Sequence, residues 1–412
     1  KMDIWTFFAC RSIDLLKDGG YFSFIAPNNW LTNTGASIFR NKILSEGQII
    51  KFVDFGDFKV FEDAGIQTMI FIFRKGTPRK IYQTTYAKIR DKNIREEMVN
   101  LLLQSNLKTV NEGISKFDAT IDPEKLEGKN IAFSNQQSGD ILAKIESKKN
   151  FELTEKEVAQ GIVMPQEFVI LSHFSKLKNE KTKIGEGIFR LTDTERKSLH
   201  LTKGEETLIK PFYTSNQLGR YYADPNNKLW IIYTTSKFKN PKEIKTYSNI
   251  KAHLDKYMDV ITSDNKPYGL HRARDERFFV GGKIVAQRKC PDRPVFSYVD
   301  FECYVSATFY VIKTERLNLK YLTGLLNSNL IKYWLENKGK MQGDNFQIDK
   351  EPLLNLPLVK ADAEIQGQIA LSVDKLIELN HDFRNIPANT DKWQSVKNEL
   401  QKAEKEIDLK VY

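Results

Sequence analysis

Cysteine is scarce in this chain: Cys10, Cys290 and Cys303 are the only three in 412 residues. They are too few and too scattered for a disulfide framework or a thiolate metal site, and read as small buried or reduced residues. The five histidines, at positions 173, 200, 253, 271 and 381, show no ligand spacing with cysteine or carboxylates. A metal-dependent hydrolase is therefore unsupported. No run approaches the ~20 apolar residues of a membrane span, and the N-terminus lacks the basic-then-apolar order of a signal peptide, so a soluble, cytoplasmic protein is expected. A glycine-rich turn of the GxGxxG type, which would cradle a dinucleotide or nucleoside, is absent throughout. No Ser-His-Asp or paired-carboxylate constellation stands out among the abundant acids.

What is present is length, basic charge and aromatic residues. A chain of 412 residues with 41% hydrophobic content supports two or three domains with sizeable cores. Lys and Arg outnumber Asp and Glu by 63 to 53, a net charge of +10. That excess suits either a solvated basic surface or a polyanionic partner, with nucleic acid the leading candidate. The 16 Tyr and 26 Phe would suit base stacking, although most must be core.

Along the chain, Ile4, Phe7, Phe8, Ile13 and Leu15-Leu16 give a helix a broad apolar face, stopped by Gly19-Gly20. YFSFIAP (Tyr21 to Pro27) predicts a short buried strand. A helix follows over Thr34 to Glu46, and then Phe52 to Lys75, FVDFGDFKVFEDAGIQTMIFIFRK, predicts two strands joined by a polar crossover. The run TMIFIF suits a strand buried on both faces. Helix, strand, helix, strand, strand is the second half of a doubly wound α/β sheet closing in an antiparallel hairpin. Its first half has no counterpart here, so sequence upstream of Lys1 or a partner chain is expected to pair with the exposed inner strand.

Residues 76 to 150 are mixed and charged, with a helix expected over Glu96 to Leu107 and a loop over Lys108 to Gln137. Short strands dominate from about 150 to 360, with Gly281-Gly282 as a hairpin signal and a helix at Tyr321 to Leu335. Two helical stripes near the C-terminus, separated by a turn at Asn385 to Asn389, predict a helical hairpin.

Candidate chemistry concentrates in four places. Phe61, in the polar crossover, is either a lid on the core or a flat face for a π-system. Asp264 to Arg293 carries eight Lys or Arg against four acids. There Arg272 and Arg274 share a parity that in an extended segment aims two guanidinium forks one way, with His271 beside them. Gln287 and Arg288 add a base-reading amide and a phosphate contact. An internal ion-pair network is the alternative. Lys338 to Gln347, KGKMQGDNFQ, offers Lys338, Lys340, Gln342, Asn345 and Gln347 in a glycine-containing segment that suits base edges or a solvated turn equally. Lys210 and Arg220, each near aromatic residues, form a weaker cluster.

DIWTFF (Asp3 to Phe8), LLKDGGYFSFIAPNNWL (Leu15 to Leu31) and VFEDAGIQTMIFIF (Val60 to Phe73) resemble, in order, the later motifs of TaqI-like, γ-class DNA adenine-N6 methyltransferases. KPYGLHRARDERFF and NSNLIKYWLENKGKMQGDNFQI resemble the TaqI-like C-terminal specificity domain; the pairing is typical of type IIG restriction-modification enzymes. The resemblance implies that Phe8 contacts the adenine ring of S-adenosylmethionine and that Phe61 stacks on a flipped target adenine in double-stranded DNA. Together with the reading of the residues, it divides the chain into four parts: a Rossmann-like partial methyltransferase domain over 1–80, a linker or excursion over 81–150, an α+β target recognition domain over 151–360, and a helical hairpin over 361–412. The family's cofactor-binding glycines and its Asn-Pro-Pro-aromatic motif lie N-terminal to the DIWTFF position. This chain has neither, so these 412 residues alone are not expected to methylate, and no separate nuclease domain is visible. Leu353 to Leu379 is also similar to type I restriction specificity subunits, the alternative reading, which have no need of Leu15 to Phe73.

Overall fold

The computed structural model describes residues 3–61, 67–77, 80–104, 113–133, 136–177, 182–342 and 345–411. They form two compact units, residues 1–149 with 333–347, and residues 150–332 with 348–412.

The first unit begins with α1 (Ile4–Leu15), which buries Thr6, Ala9 and Ile13 and leaves Ile4, Phe7, Phe8 and Leu15 exposed. The helix thus has apolar residues on a side that packs and on a side that does not. Gly19 turns the chain at φ 79, a left-handed conformation that costs glycine little because it has no Cβ. Then come β1 (Tyr21–Pro27), α2 (Ser37–Glu46), β2 (Gly47–Asp54), β3 (Thr68–Lys75), β4 (Tyr82–Ile89), α3 (Glu96–Leu103), β5 (Ile114–Ile121) and α4 (Gln136–Ser147). The strands lie in the order β1-β3-β2-β4-β5. β3 is antiparallel to both its neighbours, β2 and β4 are parallel, and β4 and β5 are antiparallel.

Alternation along β3 sends Phe71 and Phe73 into a cluster with Trp30, Phe39 and Phe52, while Ile70 faces Val53, Phe55 and Ala87. Both faces are covered, one more completely: Met69, Phe71 and Phe73 are buried, and Ile70 and Ile72 only partly. β4 and β5 arise from residues expected to form a linker or excursion. Their charged composition hides a period-2 pattern in which Ala87, Ile89, Ala119 and Ile121 are buried between half-exposed or exposed neighbours. The helix expected to reach Leu107 ends at Leu103, and residues 105–112 lie outside the described residues. The buried Arg40 donates to the carbonyls of Trp30 and Asn33, both at 2.7 Å, and of Lys129 at 2.9 Å. A guanidinium out of water needs such acceptors, and here they tie α2 to the turn that follows β1.

The second unit contains β6 (Val158–Gln160), β7 (Arg190–Thr192), β8 (Ile209–Tyr213), β9 (Leu229–Ile232), α5 (Ser248–Asp255), β10 (Lys283–Gln287), β11 (Phe296–Val299), β12 (Tyr304–Val305) and β13 (Phe309–Ile312). After these run α6 (Leu319–Asn327), α7 (Ala363–Arg384) and α8 (Asp391–Val411). Two sheets result, β11-β10-β13-β6 and β12-β8-β9-β7. One core serves both, with Val285 and Val311 from the first packed among Phe212, Ile231 and Tyr304 from the second.

Gly281-Gly282 does not turn a hairpin, contrary to expectation. The residues before it form a short 3₁₀ turn, Glu276–Phe278, capped by the Asp275 carboxylate, because Phe278 and Phe279 bury inward together rather than alternating. β10 pairs instead with β11 and β13. The helix expected over Tyr321 to Leu335 is broken at Ser328, whose ψ of 157 leaves the helical region. α7 and α8 pack Val373, Leu376, Ala403 and Ile407 around Tyr221. Gly324 of α6 admits α7 closely: a Cβ there would lie 2.6 Å from Ile369 Cγ2.

Candidate nucleic-acid interface

In the first unit three strands end at one edge of the sheet. Pro27 at the end of β1 pairs with Thr68, and Asp54 at the end of β2 pairs with Met69 on one side and Lys88 on the other. The carboxyl ends of strands are where α/β sheets open a crevice for ligands. A cleft of about 150 Å³ lies there, lined by Asn28, Asn29, Asp54, Tyr86, Lys88 and Lys338 among others. Asp54 Oδ1 organises it, accepting from Asn28 Nδ2 at 3.1 Å and from the Gly56 amide at 2.9 Å. Below, Tyr86 stacks on Phe133 with ring centroids 4.8 Å apart. Burial, and then the Asp54 charge, push the Tyr86 hydroxyl far above its ordinary range, so it stays protonated.

The loop after β2 leaves from this same edge. Phe55 donates to Thr68 O, and Gln67 Nε2 donates to Asp57 Oδ1 at 2.6 Å, closing the loop near its ends. Within it the apolar pair divides: Val60 packs against the Val53 and Phe55 core, while Phe61 is 50% exposed. A ring exposed to that degree leaves a face open to a partner. Residues 62–66 lie outside the described residues. Phe8, on α1, is 62% exposed.

The second unit holds most of the predicted DNA contacts, in varied states. Arg272 is exposed, and its backbone bridges Val163. Arg274 has φ 71, so the segment is not extended there and the expected parity fails. Its side chain is half-buried, donating from Nε to Gly161 O at 3.2 Å and from Nη2 to Gln160 Oε1 at 2.9 Å. Burial, and then the Arg272 charge, lower the Arg274 pKa. His271 Nδ1 sits 3.6 Å from Asp264 Oδ2.

Gln287 and Arg288 line a second cleft of about 400 Å³, with Glu167, Arg190, Ser306 and Thr308 around it. Gln287 Nε2 donates to Lys289 O at 2.9 Å, and Arg288 Nε to Asp349 Oδ1 at 2.7 Å. Lys210 is paired with Glu276 at 2.9 Å and Glu302 at 3.7 Å. Arg220 is paired with Glu404 of α8 at 2.7 Å and donates to Asn327 O at 3.2 Å. Both cations therefore have internal partners.

Lys338, Lys340, Gln342, Asn345 and Gln347 fall in the first unit, where Lys340–Gln342 pairs antiparallel with Asn345–Gln347 and buries Phe346. Lys338 lies 3.7 Å from Glu146. The predicted contacts thus divide between the units. Among residues that sequence inspection missed, Asn28, Asn29 and Asp54 had a signal: amides and an acid just where two apolar strands end. Arg190 and Glu167 had none, being separated along the chain and joined only by folding. Among the described residues no group of three or more His, Cys, Asp or Glu could hold a metal ion, and no helix is long and apolar enough to cross a membrane.

Comparison with known proteins adds two matches. Residues 1–61 match the Eco57I restriction-modification methylase family, and residues 210–358 match the TaqI-like C-terminal specificity domain. The type II methyltransferase M.HincII of Haemophilus influenzae is 22% identical over 381 residues, covering 89% of this chain and 68% of its own length. Type II methyltransferase M.HindII of Haemophilus influenzae strain Rd is 21% identical over 380 residues, covering 89% of this chain and 69% of its own length. The type IIL restriction-modification enzyme MmeI, solved in complex with DNA, aligns with 99% of this chain at a TM-score of 0.63 and 14% identity. That likeness is one of fold, and this chain spans 48% of the solved one. A restriction-modification methylase match and a specificity-domain match therefore sit on one chain, the methylase first.

Proposed function

We propose that this chain is the C-terminal part of a site-specific DNA adenine-N6 methyltransferase of a restriction-modification system, with double-stranded DNA as substrate. The observation that carries the reading is the edge of the first sheet where β1, β2 and β4 end. There the loop that carries the exposed Phe61 departs beside a polar cleft, its Gly56 amide donating to Asp54, in the chain that also matches a specificity domain.

In this reading the first unit is the closing half of a Rossmann-like methyltransferase sheet. The exposed Ile4, Phe7 and Tyr21, on α1 and β1, supply apolar surface for further strands and helices to cover. S-adenosylmethionine would supply the methyl group. The exposed ring of Phe8 fits contact with one face of its adenine, and most other contacts belong to sequence this chain does not contain. Phe61 receives the extruded target base by stacking, a surface that every base can use. The second unit holds the duplex through Arg272 and its neighbours, phosphate contacts positioning and base contacts specifying. The competing reading, a non-catalytic specificity subunit, leaves the methylase match over residues 1–61 without a role.

The test is methyl transfer to adenine in duplex DNA by the full-length protein, with and without Phe61→Ala. Transfer lost or strongly weakened in the variant supports the reading; full activity in it removes the stacking role.

A further inference from the structure

Arg190, on the edge strand β7, is held more firmly than a surface arginine needs to be. Its Nη1 donates to Glu167 Oε2 at 2.6 Å, and its guanidinium lies 4.7 Å from the Phe168 ring centroid. Carboxylate and ring fix the plane of the fork from two directions, which removes most of the rotamer freedom that a long cation otherwise loses on binding. Both residues of the pair line the 400 Å³ cleft with Gln287, Ser306 and Thr308.

Glu167 also compensates the charge of Arg190, which weakens it as a phosphate anchor. It leaves the directional donors of Nε and Nη2, for which the described residues provide no acceptor. A charge-compensated fork with spare parallel donors matches a pair of neutral acceptors side by side, and the O6 and N7 of guanine in the major groove are such a pair. The rest of the cleft is built for the same task. Gln287 spends one amide hydrogen on Lys289 O, its Oε1 accepts from no described residue, and the Ser306 and Thr308 hydroxyls lie 2.7 Å apart. Lys289, exposed at the rim, suits a phosphate.

Resting on the proposed DNA-binding role, we infer that this cleft is a base-reading site in which Arg190, oriented by Glu167 and Phe168, recognises a guanine of the target sequence. Arg190 is the reading group and Glu167 the positioning residue.

The experiment selects duplexes from a library of randomised oligonucleotides with the full-length protein and sequences those bound, for wild type, Arg190→Ala, Arg190→Lys and Glu167→Gln. Expected is a guanine preference at one position that falls roughly 10- to 100-fold in Arg190→Ala, with the other positions and the salt dependence retained. Glu167→Gln keeps the folded state, checked by thermal melting, and weakens preference at that same position alone. A preference unchanged at every position in Arg190→Ala and Arg190→Lys overturns the inference and makes Arg190–Glu167 a structural ion pair. Loss spread evenly over all positions overturns it too. A wild type that binds no duplex at all overturns the DNA-binding reading, and this one with it.

Discussion

The cleft of the first unit and the cleft of the second hold their polar groups in different ways. In the first unit the polar groups turn towards one another: Asn28 and the Gly56 amide converge on Asp54, Tyr86 is kept neutral, and the exposed feature nearby is the uncharged Phe61 ring. In the second unit the features are charges held part-way, Arg190 on Glu167, Arg288 on Asp349, and an exposed Arg272. On the proposed reading, the first unit takes hold of a flat base through the exposed Phe61 ring, a surface that stacking can use whatever the base. A site that must settle on a polyanion and read it needs cations whose direction is already fixed. On the proposed reading, base stacking belongs to the first unit and duplex reading to the second, and each can be attacked separately.

The largest effect is expected from Phe61→Ala in the full-length protein. Loss of one base–aromatic stack should lower methyl transfer roughly 10- to 100-fold while DNA affinity in a gel-shift titration stays near wild type. Equal loss in both assays would break the division between the units. Gly324→Ala comes next. The added methyl meets Ile369 at a distance no real contact tolerates, so the packing of α6 on α7 must shift, costing about 1–3 kcal/mol in chemical unfolding. DNA binding by the second unit should then fail at lower temperature than in wild type.

Arg272→Ala should weaken duplex binding uniformly across sequences and reduce the slope of log affinity against log salt by about 1. Lys210→Ala should leave that slope unchanged, because Lys210 is engaged with Glu276. Reversed results would exchange the two residues between surface and scaffold. A pH dependence of stability is also expected in the second unit. Burial raises the Glu157 pKa, but Arg316, Thr314 and Thr154 outweigh that and hold it at about 2, below the usual 4.5. A depressed carboxylate contributes stability above its unfolded value and loses it as pH falls through the folded one. Acid melts should therefore show wild type losing, between about pH 4.5 and 2, an increment that Glu157→Gln never had.

Much of the fold was legible because apolar periodicity is a local property. YFSFIAP and TMIFIF announce β1 and β3, although β1 is largely exposed or half-exposed rather than the buried strand its sequence suggests, and the spacing of Ile369, Val373 and Leu376 announces one helix and of Leu400 and Ile407 another. Where charged residues dilute the alternation, as in β4 and β5, the strands were hidden until their partners were known. Gly281-Gly282 misled for a related reason: two glycines mark a turn, but not which strands flank it, and Phe278-Phe279 burying together made a 3₁₀ turn instead.

For the candidate sites the division is sharper. Sequence by itself determined which residue types were on offer: Phe61 in a polar loop, and an excess of Lys and Arg around Arg272 and Arg274. Only the tertiary structure decided which of them were spoken for. Arg220 meets Glu404, Arg274 meets Gln160, and Arg190 meets Glu167 across spans of chain that no local pattern encodes. A charge's availability depends on what lies within a few ångströms of it, and that is settled by packing rather than by order along the chain.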